Sequence, residues 1–522
     1  MLFYLTVGSP AASAAPAKPD ATFDIDEFRV LGTSALPQTS IERAVYPFLG
    51  PNRGIETVKQ AADALEKAYK DAGYGAVYVD IPEQEVSEGV VRLKVTEGKL
   101  EAVHVRGERY YSRRQILAAL PALQTGTSPD LPVLQQELAA LNSRTPDRQV
   151  TPVLKAGSEP GSVDVDLDVK DSLPLHGFVS YDDRHTADTT PNRATVGLSY
   201  DNLWGRQDTF SLMYQTAPAK PSDAEVLIAN YLAHVGSTDS EAAFSYTRTY
   251  SNVLALGTLG VLGKGSIYGA HWIKPLENAP NDSQSLTLGA DYKDVLTSVL
   301  PDPTSTGASS AAVTAPVKYV NWSAVYAGNW SHGGFLYSGS AGLNLGMRGV
   351  INSSDQFENA RYDAYPNYFY IRTAFGATQP LPVGFALQER LNAQWSDSPL
   401  VNNEQFSLGG VDTVRGYLEA ETLGDSGAAG TIELHSPPLG ARVGSFFAPL
   451  YLFVFVDEGV TTLVDSLPSQ HESITLWSRG AGLRLENAQG VSGYVDYAVP
   501  QRDGIRTLKG DSRVDFSLRY TF

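Results

Sequence analysis

The sequence predicts a transmembrane antiparallel β-barrel of about 16 strands, preceded by two small α+β modules. Two observations lead to this fold class. Residues 23–171 combine helical and strand periodicities in an internal repeat, whereas from Leu173 onward only short alternating segments remain. In addition, no apolar run approaches the roughly 18 residues that a membrane-spanning helix needs, and membrane β-strands require only alternation.

Composition narrows the classes of function. The net charge of −18 argues against a nucleic-acid partner, because binding to phosphates depends on lysine and arginine. The chain has no cysteine, so it carries no disulfide and no thiolate chemistry. Its 27 tyrosines and 6 tryptophans suit the aromatic girdles of a membrane barrel.

Residues 1–22 are interpreted as a signal-peptide remnant or a linker. A short apolar run in "MLFYLTVGSPAASAAPAKPD" precedes Ala-Ser-Ala at 12–14, which has the form of a signal-peptidase site. A disordered tail is the alternative interpretation of the same segment.

Two repeated modules are predicted at residues 23–98 and 99–171. The segments "FRVLGTSALPQTSIERAV" and "VHVRGERYYSRRQILAAL" align at an offset of 75, which pairs Gly32 with Gly107 and Ile41 with Ile116. Each unit has the pattern strand, helix, helix, strand, strand. In the second unit, leucines at helical spacing follow Ser128, which is the expected N-cap.

The barrel is predicted at residues 172–522. Its last segment, "RVDFSLRYTF", has apolar side chains on one face and polar side chains on the other. Such alternation suits a strand with lipid outside and water inside. About 16 segments of this kind are separated by short turns, such as 236–240, and by long loops, such as 295–316. A soluble all-β array would need polar side chains on the face that carries Trp, Tyr and Phe.

Catalytic and ligand-binding motifs are not found in the sequence. The 8 histidines are scattered, and no HExxH pair or GxSxG elbow is present. Near Lys264, "LGKGS" has Gly265 where a phosphate loop requires Ser or Thr. The carboxylates in "SYDDRH" at 180–185 are interpreted as solvated loop charges. We therefore expect no catalytic residue, no cofactor and no metal.

The tetrad Val414, Arg415, Gly416, Tyr417 is the candidate functional motif. By strand count it lies in the sixth outer loop, between the eleventh and twelfth strands. A guanidinium held inside a barrel needs a carboxylate, because an unpaired buried charge is costly. Alternation along "YLFVFVDEGV" allows Asp457 to face the lumen, so Asp457 is the candidate partner.

These features resemble the two-partner secretion transporters, the TpsB proteins of haemolysin and adhesin secretion, within the superfamily that includes the BamA and TamA insertases. The resemblance rests on the two repeats, which look like POTRA domains, and on the VRGY tetrad. It also rests on "FVDEG", with Phe455, Asp457 and Gly459, and on the terminal aromatic Phe522.

The resemblance implies a 16-stranded outer-membrane barrel with two POTRA domains in the periplasm. It implies that the sixth loop folds into the lumen, that Arg415 pairs with Asp457, that Phe455 and Gly459 support the pair, and that Phe522 is a C-terminal assembly signal. Family members often have an N-terminal plug helix joined by a linker to the first POTRA domain, and the segment before Phe23 leaves no room for both. Either the N-terminus is truncated or the plug is lacking.

The implied partners are a secreted exoprotein with an N-terminal secretion domain, outer-membrane lipids and the barrel assembly machinery. We expect a monomer that binds no nucleic acid. The alternative function is an insertase of the BamA/TamA type, although insertases usually carry more than two such modules. A passive porin would have no periplasmic repeats, and a barrel enzyme would need a nucleophile or an acid–base set.

Overall fold

A computed structural model describes residues 22–32, 35–74, 77–86, 88–159, 162–187, 189–236, 240–250, 254–255, 261–262, 264–276, 282–299, 313–351, 353–440, 447, 449–468 and 470–522. The interpretation of residues 1–22 falls outside this part of the chain except for Thr22. The chain divides into two compact units, Met1–Leu173 and Pro174–Phe522. None of the helices in the described residues is long and apolar enough to cross a membrane.

The first module contains strands β1 to β5 and helices α1 and α2. Their bounds are β1 Phe23–Ile25, β2 Glu27–Leu31, α1 Gln38–Val45, β3 Gly50–Arg53, α2 Ile55–Asp71, β4 Val77–Asp80 and β5 Val90–Glu97. The main sheet has the order β2-β5-β4, with β2 parallel and β4 antiparallel to β5. Helix α2 buries one apolar stripe against the core of the module. The stripe consists of Val58, Ala61, Ala62, Leu65 and Tyr69.

The second module repeats the three-stranded sheet and the two helices of the first, and its described residues include no counterpart of the β1–β3 pair. Its elements are β6 Lys99–Arg106, α3 Arg113–Ala118, α4 Leu131–Ser143, β7 Arg148–Ala156 and β8 Ser162–Asp171. The sheet order is β6-β8-β7, with β6 parallel and β7 antiparallel to β8. The predicted N-cap at Ser128 is wrong. Asp130 caps α4, because its carboxylate accepts a hydrogen bond of 3.2 Å from the Val133 N–H, and Pro132 then occupies the first turn.

The aligned glycines of the repeat have the same structural role. Gly32 and Gly107 have φ angles of +85° and +90°, which glycine adopts without strain. A Cβ at Gly32 would lie 2.3 Å from the Val95 carbonyl oxygen, and a Cβ at Gly107 would lie 2.4 Å from that of Val169. Each glycine therefore allows the chain to leave β2 or β6 close to the last strand of its module.

After Pro174 the chain forms strands β9 to β28 and helix α5. The bounds are β9 Leu175–Asp182, β10 Arg193–Leu203, β11 Asp208–Thr216, β12 Glu225–His234, β13 Glu241–Thr249, β14 Leu254–Ala255, β15 Val261–Leu262, β16 Lys264–Pro275, β17 Asp282–Val299, β18 Val313–His332, β19 Phe335–Gly346, α5 Ser354–Ala360, β20 Phe369–Pro380, β21 Ala386–Ser396, β22 Phe406–Leu408, β23 Thr422–Gly424, β24 Ser426–His435, β25 Leu450–Thr462, β26 Ser473–Ala488, β27 Val491–Pro500 and β28 Arg513–Thr521. All except β14, β15, β22 and β23 belong to one closed barrel.

The barrel therefore has 16 antiparallel strands, as the sequence predicts. It closes where β28 pairs with β9, over Ser517–Thr521 and Phe178–Asp182. The connections after the first, ninth, eleventh, thirteenth and fifteenth barrel strands are named loop 1 (183–192), loop 5 (347–368), loop 6 (397–425), loop 7 (463–472) and loop 8 (501–512).

The predicted long loop at 295–316 is partly wrong. Strand β17 continues to Val299 and strand β18 begins at Val313, and the two pair along that whole extension. Leu296 is outward and exposed, whereas Val295 and Val317 are buried on the opposite face. The alternation thus continues beyond the point at which the sequence suggests that the strand ends.

Candidate functional site: loop 6 inside the barrel

Loop 6 is buried where it carries the VRGY tetrad. Its two limbs pair as the short antiparallel strands β22 and β23. Between them, Val414, Arg415 and Tyr417 are each at most 1% exposed. Val414 and Tyr417 pack in one apolar cluster with Leu476 of the barrel strand β26. The loop is therefore folded against the inner face of the barrel wall.

Glycines allow the tight path of the tetrad. Gly409 and Gly416 have φ angles of +104° and +86°. A Cβ at Gly409 would lie 2.6 Å from the Leu418 carbonyl oxygen, so this turn requires a residue without a side chain. The Gly409 N–H also donates a hydrogen bond of 2.9 Å to Thr413 Oγ1, which closes the turn before the tetrad.

Arg415 forms a bidentate ion pair with Asp457 of β25. Its Nε and Nη2 atoms each lie 2.8 Å from one carboxylate oxygen, and its backbone N–H donates to Oδ2 at 3.1 Å. Both side chains are almost completely buried. A bidentate pair of this kind fixes the orientation of the guanidinium and also compensates its charge. The structure thus brings together Arg415 and its candidate partner Asp457.

Further groups surround the same guanidinium. Nη1 lies 2.8 Å from Glu433 Oε1 on β24 and 3.8 Å from Asp496 Oδ2 on β27. The face of the Phe455 ring contacts it, with the guanidinium carbon 3.4 Å from the ring centroid. Carboxylates from three strands and one aromatic face therefore hold a single loop cation.

Glu433 connects this ion pair to other wall residues. Its second oxygen lies 2.8 Å from His435 Nε2 and 3.6 Å from Arg484 Nη1, and Arg390 Nη2 approaches the first oxygen at 3.3 Å. A buried carboxylate that meets several cations and donors is compensated for its loss of hydration. Because Asp457 and Glu433 are both engaged by guanidinium groups, the cluster suits an ion-pair anchor rather than a metal site.

Tyr417 and Gly459 complete the contact between loop and wall. The Tyr417 hydroxyl lies 2.8 Å from the Arg502 carbonyl oxygen of loop 8 and 3.1 Å from that of Trp477. A Cβ at Gly459 would lie 2.4 Å from Leu408 Cδ1 of loop 6, so this glycine leaves space for the loop. The functional importance of both residues stays a prediction.

Phe522 lies away from this cluster, at the end of the closing strand. Its backbone exchanges two hydrogen bonds of 2.9 Å with Gly177 of β9, and its ring is outward and exposed. It therefore extends the pairing that closes the barrel. A role as an assembly signal stays a prediction.

Sequence reasoning missed several contacts of loop 6. Asp412 forms an ion pair with Arg184 of loop 1, with Nη1 and Oδ2 2.8 Å apart. Glu421 accepts a hydrogen bond of 2.8 Å from the Thr507 N–H and one of 2.9 Å from its hydroxyl, in loop 8. The sequence does show carboxylates on both sides of the tetrad. A solvated loop would carry such residues too, so they did not indicate these contacts.

Comparisons with known proteins identify the family. A family model described as "Haemolysin secretion/activation protein ShlB/FhaC/HecB" matches residues 161–485, more than half of the chain. A second, "POTRA domain, ShlB-type", matches residues 23–98.

Similar proteins agree with these matches. The outer membrane transporter CdiB of Dickeya dadantii is 25% identical over 433 residues, covering 79% of this chain and 72% of CdiB. The heme/hemopexin transporter protein HuxB of Haemophilus influenzae is 20% identical over 525 residues, covering 97% of this chain and 88% of HuxB.

Solved structures share the fold. CdiB from Escherichia coli has a TM-score of 0.60 at 19% identity, covering 98% of this chain and 93% of that one. BamA from Haemophilus ducreyi lacking POTRA domains 1–3 also has a TM-score of 0.60, at 13% identity, covering 96% and 100%. At these identities, the likeness shows the fold alone. Together with the matched family model, the closed barrel and the repeated modules show that the chain belongs to the ShlB/FhaC/HecB family, the outer-membrane transporters of two-partner secretion, whose POTRA domains lie in the periplasm.

Proposed function

We propose that this protein exports one large exoprotein, which its POTRA domains bind in an unfolded state and its barrel conducts across the outer membrane. The observation that carries the proposal is loop 6, which is anchored inside a closed 16-stranded barrel by the Arg415–Asp457 pair. A barrel of this strand number is wide enough for an aqueous channel. Loop 6 then occupies the space through which a client would pass.

The POTRA domains offer edge strands for an extended client. Within the described residues, β2 pairs only with β5 and β7 pairs only with β8. An edge strand has unpaired backbone groups, to which an extended segment adds by main-chain hydrogen bonds. Strand β7 also exposes Val153 and Leu154, which supply apolar contact. Binding of this kind recognises backbone shape and tolerates many sequences.

The client's own folding outside the cell provides the driving force in this proposal. A segment that folds after leaving the pore cannot return, so each folding step favours further export. The wall carboxylates around loop 6 hold the loop in one defined position. For the channel to open, the loop must take a second position. The proposal therefore requires loop 6 to move during transport.

A secretion assay tests the proposed function. The gene is deleted, and the large proteins exported to the culture medium are compared with and without the restored gene. We expect the client in the medium only with the restored gene, and an unchanged set of other outer-membrane barrels. Loss of those barrels with normal export would instead indicate the insertase function, which the shared BamA fold makes the second candidate.

A further inference from the structure

A buried carboxylate of loop 6, Glu404, lies on the first limb of the loop, before the tetrad. It belongs to a single helical turn, Asn402–Glu404, and is 1% exposed. Oε1 accepts from Lys293 Nζ at 2.5 Å and from the Tyr319 hydroxyl at 2.5 Å. Oε2 accepts from the Tyr370 hydroxyl at 2.7 Å. Strands β17, β18 and β20 therefore hold this carboxylate through one donor each.

This arrangement satisfies a charge that would otherwise be costly to bury. One cation and two hydroxyl donors meet both oxygens of Glu404, and the Lys293 ammonium also lies 5.7 Å from the Tyr319 ring centroid. Three convergent donors compensate the lost hydration of the carboxylate. Gln394 of β21 adds to the attachment, because its Nε2 donates to the Glu404 carbonyl oxygen at 2.9 Å.

The ends of loop 6 are joined close to this carboxylate. Asp425, the last residue of the loop, is fully buried and forms a bidentate ion pair with Arg361 of loop 5. It also accepts from the Leu400 N–H at 2.9 Å and from the Val464 N–H of loop 7 at 2.8 Å. The first limb of loop 6 is thus fixed to the wall and to two neighbouring loops.

The Glu404 contacts and the Arg415 contacts share no residue. Arg415 contacts carboxylates of β24, β25 and β27, whereas Glu404 contacts donors of β17, β18 and β20. The apolar surroundings are also separate. Val401 packs in a cluster with Tyr319 and Tyr370, and Val414 packs in another with Tyr417.

We propose that Glu404 is a positioning residue that anchors the first limb of loop 6 independently of Arg415. The two anchors hold different parts of one loop to different sectors of the wall. Release of the Arg415 tip alone then leaves the first limb in place across the lumen. Full opening of the channel requires the first limb to be released as well. This inference rests on the proposed function, in which loop 6 occupies the route of the client.

Cysteine labelling tests whether the anchors are independent. The chain has no cysteine, so a single introduced thiol reports on one position. Val401→Cys reports on the first limb and Val414→Cys on the tip, and both sites are buried in the closed protein. Each reporter is combined with Glu404→Gln or Arg415→Ala in the full chain. Labelling rates with a membrane-impermeant maleimide are then measured on folded protein in the outer membrane.

We expect Glu404→Gln to speed labelling at Val401→Cys by about tenfold or more, because hydrogen bonds to a charged group contribute at least that much to an equilibrium constant. Labelling at Val414→Cys should stay slow in the same background. Arg415→Ala should give the reverse pattern. If both reporters respond equally to each substitution, or if Val401→Cys stays slow in Glu404→Gln, the inference is wrong.

Two controls separate positioning from loss of the fold. Heat-modifiable migration in gels shows that each variant retains a closed barrel, since a general loosening would expose both reporters. If Glu404→Gln does not insert, Tyr370→Phe removes one donor and keeps the ring, and the same selective rise at Val401→Cys is expected. No client takes part in the measurement, so a failure of export leaves its outcome unaffected.

Discussion

More than one carboxylate binds the Arg415 guanidinium. Asp457 binds it through both oxygens, and Glu433 binds the remaining nitrogen. Parity along β25 allowed Asp457 to face the lumen, because side chains of a strand alternate between faces, and the family resemblance made Asp457 the expected partner. Glu433 and Asp496 could not be selected in this way. Their approach depends on the register between strands and on how deeply the loop enters the barrel.

We expect Asp457→Asn to destabilise the folded barrel strongly. Asparagine has the same shape but no charge, so Arg415 loses its bidentate partner in a buried site. Breaking a buried ion pair costs about 3–5 kcal/mol. The measurement is the temperature at which heat-modifiable migration is lost, and this temperature should fall.

The neighbouring acid provides the matched control. Glu458 follows Asp457 in β25 but points to the outer, exposed side of the strand. Glu458→Gln removes one charge from the same strand without touching loop 6, so its transition temperature should stay near that of the wild type. Equal effects of the two substitutions would contradict a specific role of the Arg415 site.

The POTRA modules depend on one glycine turn each. In Gly107→Ala the new Cβ would meet the Val169 carbonyl oxygen, and the φ angle of +90° adds backbone strain. We expect a loss of roughly 1–3 kcal/mol in the unfolding free energy of this module, a typical cost of a strained backbone conformation. Gly126→Ala is the control, because Gly126 has a φ angle of +86° but open space around its Cβ position. Calorimetry of the full chain should show a larger shift for Gly107→Ala; equal shifts would contradict the proposed clash.

Edge strands should respond to the client and central strands should not. If an extended segment adds to β2 or β7, amide hydrogen exchange at that edge should slow, since its free N–H groups become bonded. Strands β5 and β8 are already paired on both sides and serve as internal references. Slowing that is restricted to the helices α2 and α4 would instead indicate that the client binds along the helical surface.

Strands were predictable where apolar and polar side chains alternate clearly. They were less predictable where glycine and alanine occupy the alternating positions. The outward face of β28, with Val514, Leu518 and Tyr520, is apolar in the sequence and exposed in the structure. The alternation is weaker in β24, which begins at Ser426. Its first half is rich in glycine and alanine, which carry no contrast between faces. Helix α5 was also missed, because its buried Phe357 packs on strands that are distant in sequence.

At the scale of the whole molecule, the sequence predicted the division into repeats and barrel, the number of strands and the family. Periodicity is a local property, so it is readable without a structure. The attachments of loop 6 are not local. Glu404 meets Lys293 and Tyr319, which precede it by more than eighty residues. Only the closed barrel brings such partners together, and so the first limb of the loop could not be assigned in advance.

Transport by the whole molecule should depend on the anchored tip of loop 6. Removing the Arg415 side chain eliminates the cation that Asp457 and Glu433 hold, so the tip loses its fixed position while the barrel strands keep their pairing. Arg348 of loop 5 provides the comparison, because it is exposed and its substitution to alanine removes a loop arginine without touching this cluster.

The most direct test is therefore the export of the cognate exoprotein by Arg415→Ala, measured in the culture medium at matched levels of inserted, heat-modifiable protein. We expect export to fall by about tenfold or more, because the anchored tip holds the barrel in the conformation from which the channel opens, and the lost ion pair is worth more than the roughly 1.4 kcal/mol that a tenfold change requires. Arg348→Ala should export as the wild type does. Unchanged export by a correctly inserted Arg415→Ala protein would show that transport does not depend on the anchored loop.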